Sequence, residues 1–204
     1  MKPKLLFVTD PLCSWCWGTL PEFNLAREQL KDRVEFDLLM GGLQIGPADG
    51  LLEYDKKRLQ RLWREVAEVT GQRFSQKIPP DFIYHSEISC RAVEIARKKH
   101  GAPPFEFFHK LQRAFYLQGQ NINDVNVLAN LLEMNEWEVR DELQTESIIA
   151  ATRANFSQAR ALSANALPNV MLDVGAGYKL VCGGYVTTDY LIPDIVSRIN
   201  PVSD

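Results

Sequence analysis

Cys13 and Cys16 stand two residues apart in the stretch LLFVTDPLCSWCWGTLPEF, residues 5–23, where an apolar run stops. A pair so spaced can be a redox couple, half of a zinc site or ordinary core. At a helix start, unpaired backbone N–H groups and the positive end of the dipole stabilise a thiolate on the first cysteine. Two intervening residues leave the second thiol in reach, so a mixed disulfide formed at the first is resolved internally. On this reading Cys13 is an exposed nucleophile and Cys16 the more buried resolving thiol. Ser14 and Trp15, between them, tune the couple and lie where a substrate would bind.

The zinc reading needs two further thiolates or imidazoles at ligand spacing. Cys90 and Cys182 are isolated, and His85, His100 and His109 form no pair, so no metal site is expected and both lone cysteines read as packing residues. Asp10, three residues before Cys13, reads as a solvated turn carboxylate, and Trp17 and Phe23 read as core.

The elements around the pair support redox chemistry. Residues 4–9 form a short buried strand and residues 34–40 a second. Between them Leu20, Phe23, Ala26 and Leu30 recur at helical spacing, so the chain opens β-α-β with the cysteines at the first strand-to-helix turn. Pro21 lies inside that helix, where it removes a hydrogen bond and is expected to kink it.

Gly41-Gly42 and Gly46-Pro47 break the pattern, and a long helical region follows. Leu59, Leu62, Trp63, Val66 and Ala67 mark one helix, stopped at Gly71. Ser86 is placed to cap another, which ends at Lys98-Lys99-His100-Gly101. A further helix follows Pro103-Pro104 with Phe105, Phe108, Leu111 and Phe115 inside, and Asp124, Asn135 and Thr145 are N-caps for three more, running to about residue 162. Asn169 to Val174 and Tyr178 to Val181 then read as a hairpin around Gly175-Ala176-Gly177, with a last helix from about Thr188 to Arg198. The order is β-α-β, a helical block, then β-β-α. One α/β core split by an insertion accounts for it: residues 1–45 and 163–204 as the core, 46–162 as the inserted helical domain.

A disulfide-exchange site also has to hold its substrate. Leu167-Pro168 directly precedes a late strand, where proline's missing donor is tolerated. Read from these residues alone it is first an ordinary trans proline starting a strand; the other reading is a cis bond that would fix a bend and let the Leu167 backbone pair with an extended chain by strand addition.

At 204 residues, 46% hydrophobic and 24% charged, the composition is that of a globular protein. The net charge of −3, with both signs interspersed, carries no nucleic-acid footprint, and no apolar run is long enough to span a membrane. Lys2 and Lys4 before Leu5–Val8 imitate a secretory leader, but the run is short and Asp10 follows it. It reads as a mature strand, with a reducing cytoplasm as the expected home and no structural disulfides.

DPLCSWCWG resembles the active-site turn of the DsbA-like thioredoxin-fold family, in its cytoplasmic FrnE-like branch. SCRAVEIARKKHG, FHKLQRAFYLQGQNINDVNVLANL and ARALSANALPNVML resemble that family's helical segments and cis-proline loop, so the likeness covers nearly the whole chain. It implies a thioredoxin core with an inserted all-helical domain, Cys13 as nucleophile, Cys16 as resolving thiol and Pro168 as a cis-proline facing them. It implies a thiol–disulfide oxidoreductase or disulfide isomerase with no tightly bound cofactor. Its partners would be thiol- or disulfide-containing proteins or a small thiol such as glutathione. Leu167 stands where Val or Thr is common in that family, and Asn169 where Thr is. Two rivals accompany this reading. One is a glutathione-dependent isomerase or transferase, as in the related 2-hydroxychromene-2-carboxylate isomerases and kappa-class transferases. The other is a non-enzymatic thiol switch. Oligomeric state is left open.

Overall fold

The computed structural model describes residues 2–45, 53–80 and 82–200. Strand β1 (Lys4–Thr9) runs into helix α1 (Ser14–Leu30) and returns as β2 (Glu35–Met40). Six helices follow: α2 (Glu53–Thr70), α3 (Glu87–His100), α4 (Phe105–Tyr116), α5 (Val125–Leu132), α6 (Glu136–Glu142) and α7 (Glu146–Ala161). Strands β3 (Asn169–Asp173) and β4 (Lys179–Gly183) and helix α8 (Thr188–Ile199) complete the described chain. The sheet order is β2-β1-β3-β4, with β1 parallel to β2 and antiparallel to β3, and β3 antiparallel to β4. This is a thioredoxin-like fold. The expected break at Gly46-Pro47 lies outside the described residues.

Alternation along β1 sets the two layers. Leu5 and Phe7 join the large core, where Phe7 stacks on Phe23 of α1 with ring centroids 4.1 Å apart. Leu6 and Val8 face the other way, against Ala159 of α7 and Met171 of β3. Covered on both faces, β1 has no room for a polar side, which is why its sequence is a continuous apolar run. The large core continues without a break into Trp63 of α2 and Phe108 and Phe115 of α4, so the helical segment and the sheet are held by one apolar mass.

Local signals act largely as their chemistry dictates. The Asp124 and Thr145 side chains accept the first backbone N–H groups of α5 and α7, and Gly101 closes α3 in a left-handed conformation at φ 62°. Ser86 precedes α3 as expected, but its hydroxyl does not cap the helix; it exchanges hydrogen bonds with the Gln44 backbone. Pro21 leaves the Trp17 carbonyl without its helical donor, and the Gln72 amide takes that place at 3.2 Å. The Trp17 indole N–H donates in turn to the Arg73 carbonyl at 3.0 Å. The defect in α1 thus becomes a tie to the segment after α2.

Candidate active site

The register of the sheet builds the site. Antiparallel pairing sets Val8 opposite Asn169, so β1 leaves the sheet where β3 enters it. The turn carrying the cysteines and the loop ending at Leu167-Pro168 emerge side by side. Beside them, the chain leaving β2 joins the same edge, with the Gly41 N–H donating to the Thr9 carbonyl at 2.7 Å.

Cys13 is the N-cap of α1, with extended backbone at φ −80° and ψ 111°. Its Sγ accepts the Cys16 backbone N–H at 3.3 Å, the contact that a capping oxygen would otherwise make. That same Sγ is 3.6 Å from the Leu167 carbonyl oxygen, to which a thiol donates. The Leu167–Pro168 peptide is cis, Pro168 is buried and Leu167 half-buried. Cys16 sits one turn along, fully buried, and all four cysteines are free thiols. Burial pushes the Cys16 thiol well up, and the adjacent Cys13 sulfur adds to the effect. The two sulfurs therefore differ sharply in environment.

Four of the six residues singled out in the sequence meet here: Cys13, Cys16, Leu167 and Pro168. Trp15 is half-exposed at the rim, whereas Ser14 is buried and turned away from the surface. Cys13 was expected to be exposed and is only 4% exposed, because the Leu167 loop lies against it.

The greater departure is Asp10, which is not a solvated turn carboxylate. It is fully buried, and its two oxygens accept the backbone N–H groups of Leu12 at 2.9 Å and Leu43 at 2.8 Å. Cys90, read as packing, is buried as expected but also approaches this carboxylate, with its Sγ 3.7 Å from Oδ2. Burial raises the Asp10 carboxyl above its ordinary range, opposed by those hydrogen bonds. Cys182 is half-buried on β4.

Tyr84, which sequence reasoning missed, donates its hydroxyl to the Leu12 carbonyl at 2.6 Å. It lies in the irregular stretch before α3, where no periodicity marks it. Gln112 of α4 reaches the Asp10 carbonyl at 3.5 Å. Among the described residues no group of His, Cys, Asp or Glu side chains is arranged to hold a metal ion.

The family model described as thioredoxin matches residues 6–172, which takes in both the cysteine turn and the Leu167-Pro168 loop. The chain belongs to the thioredoxin family. A solved structure from Nitrosomonas europaea, described as a candidate protein disulfide isomerase, superposes with a TM-score of 0.87 at 25% identity, covering 100% of both chains. The cytosolic disulfide reductase DsbM from Pseudomonas aeruginosa superposes at 0.78 with 21% identity, over 96% of this chain and 98% of that one, and has also been solved with glutathione. Among curated proteins, the ClpXP adapter protein SpxH of Bacillus subtilis strain 168 is 24% identical over 183 residues, 83% of this chain. This thioredoxin-family chain spans only 58% of that relative's length. Its fold is that of the DsbA-like oxidoreductases. No helix among the described residues is long and apolar enough to cross a membrane.

Proposed function

We propose that this chain is a thiol–disulfide oxidoreductase working through Cys13-Ser14-Trp15-Cys16. The observation that carries the reading is the Cys13 sulfur itself, which caps α1, accepts the Cys16 N–H at 3.3 Å and faces the Leu167 carbonyl at 3.6 Å. The sulfur thus sits at a helix N-terminus, and the neighbouring loop offers backbone to an incoming chain.

In the reducing direction the Cys13 thiolate attacks one sulfur of a substrate disulfide. The S–S bond breaks, a mixed disulfide forms, and the other substrate sulfur leaves as a thiolate. Cys16, once deprotonated, attacks Cys13 Sγ and expels the second substrate sulfur, closing the Cys13–Cys16 disulfide. Oxidation of a dithiol substrate is the same path reversed. A buried Cys16 that holds its proton stays silent until the Cys13 sulfur beside it is taken into the mixed disulfide, which orders the two steps.

We take residues 1–45 and 163–204 as the redox core and 46–162 as the helical insertion beside it. Glutathione is the small-thiol partner we favour and the cytoplasm the compartment, with no tightly bound cofactor. The likeness to DsbM, a cytosolic reductase solved with glutathione, supports both choices. Equilibration in graded glutathione buffers, with Cys13 and Cys16 counted by thiol labelling and mass spectrometry, tests the reading. One two-electron transition is expected. A midpoint towards about −270 mV makes the protein a reductase, and one at about −120 to −180 mV an oxidase or isomerase. Stable glutathione on Cys13, with no internal disulfide, would replace this reading with a glutathione-dependent isomerase or transferase.

A further inference from the structure

Leu12, which leads into Cys13, is held at its N–H by the buried Asp10 carboxyl of the same turn and at its carbonyl by the half-buried Tyr84 from outside it. The Leu12 N–H donates to Asp10 Oδ1 at 2.9 Å, and the Leu12 carbonyl accepts the Tyr84 hydroxyl at 2.6 Å. The Cys13 N–H donates to the Asp10 carbonyl at 3.1 Å. Tyr84 is thus the hydroxyl that the helical segment sends to the residue before the nucleophile.

We propose that Tyr84 is a positioning residue for Cys13, donating to the carbonyl of the Leu12–Cys13 peptide and fixing the turn that aims the sulfur. The proposal rests on the reading of Cys13 as the reacting thiol. A buried carbonyl oxygen without a donor carries an unopposed partial negative charge, which disfavours a neighbouring thiolate. With the hydroxyl in place, that charge is met and the reduced, ionised form of the couple is stabilised. The phenol keeps its proton throughout, since burial foremost and the nearby Cys13, Asp10 and Cys16 charges hold it well above its ordinary range.

The test is Tyr84→Phe, which keeps the ring and removes the donor. Two quantities are read at fixed pH: the thiolate absorbance at 240 nm in a Cys16→Ser background, and the glutathione exchange constant of the intact pair. We expect less thiolate and at least a threefold shift of the exchange constant towards the disulfide form. Tyr190→Phe, exposed on α8, serves as the control and leaves both unchanged. A ring-fluorinated tyrosine installed at position 84 donates more strongly with nearly the same shape, and is expected to move both readings the opposite way. Loss of stability in Tyr84→Phe with both readings unmoved, or no response to fluorination, overturns the proposal. Failure of the wild-type chain to form a Cys13–Cys16 disulfide instead overturns the oxidoreductase reading beneath it.

Discussion

The Cys13 sulfur lies 3.6 Å from the Leu167 carbonyl oxygen, although 154 residues separate them. The antiparallel register of β1 and β3 produces this meeting, because Val8 opposite Asn169 brings the two loops out at one edge. The helical segment between the two strands packs onto them, with Ala159 of α7 against Leu6 and Val8 of β1, and so leaves this strand pairing intact.

The unequal environments of the two sulfurs predict unequal effects of their removal. Cys16→Ser leaves an attacking sulfur without a resolving one, so incubation with oxidised glutathione is expected to leave one glutathione on Cys13, seen by intact mass spectrometry. Cys13→Ser is expected to form no adduct at the site, since Cys16 is fully buried and its thiol pushed well up. Equal labelling of the two variants would contradict the assigned order of attack.

Two adjacent glycines separate stability from function. A Cβ on Gly41 would come 2.6 Å from Leu167 Cδ1, the tip of a side chain that can swing away. Gly41→Ala is therefore expected to cost less than about 1 kcal/mol, yet to slow exchange with peptide disulfides by displacing Leu167. At Gly42 the backbone is left-handed at φ +66°, and a Cβ would meet the Phe156 ring at 2.8 Å. Strain and overpacking together should make Gly42→Ala cost about 2 to 4 kcal/mol in chemical denaturation.

The remaining cysteines should alkylate slowly in the native protein. Burial pushes the half-buried Cys182 thiol up to about 11, leaving a thiolate fraction on the order of 10⁻⁴ at neutral pH. Its reaction with iodoacetamide should rise close to tenfold per pH unit between pH 7 and 9. Cys90, fully buried, is expected to react only on unfolding. Peptide mapping after timed alkylation measures both.

The sequence made the elements legible wherever a local rule governs them. β1 reads as a buried strand because four consecutive apolar residues have no polar face to turn outward, and α5 and α7 start at Asp124 and Thr145 because those side chains have nearby N–H groups to accept. The cysteine turn was legible from its spacing, and the Leu167-Pro168 loop from proline's place before a strand. Asp10 was misread because nothing in its neighbours says that Leu43 and Cys90 will close over it. Tyr84 and Gln112 were invisible for the same reason. Their contacts cross from the helical segment to the turn, and tertiary packing alone decides them.

Asp10 gives the sharpest prediction on pH. Its folded-state carboxyl is raised above the ordinary value of 3.8, chiefly by burial, so the native chain holds this proton more tightly than the unfolded chain does. Below the unfolded value both states are protonated and the contribution to stability is fully present. As pH rises past about 4, the unfolded chain releases its proton first. Stability is then lost at about 1.4 kcal/mol per pH unit until the folded-state value is passed, after which the loss levels off. Asp10→Asn has no such proton, so the wild type should lose ground to it as pH climbs. The difference in unfolding free energy between the two, followed from pH 3 to 7, measures the loss directly. The carboxyl carbon resonance of Asp10 gives the folded-state titration even if the variant folds poorly. A difference that stays flat, or that favours the wild type increasingly as pH rises, would mean that the Leu12 and Leu43 hydrogen bonds outweigh burial and that Asp10 is an ordinary stabilising carboxylate.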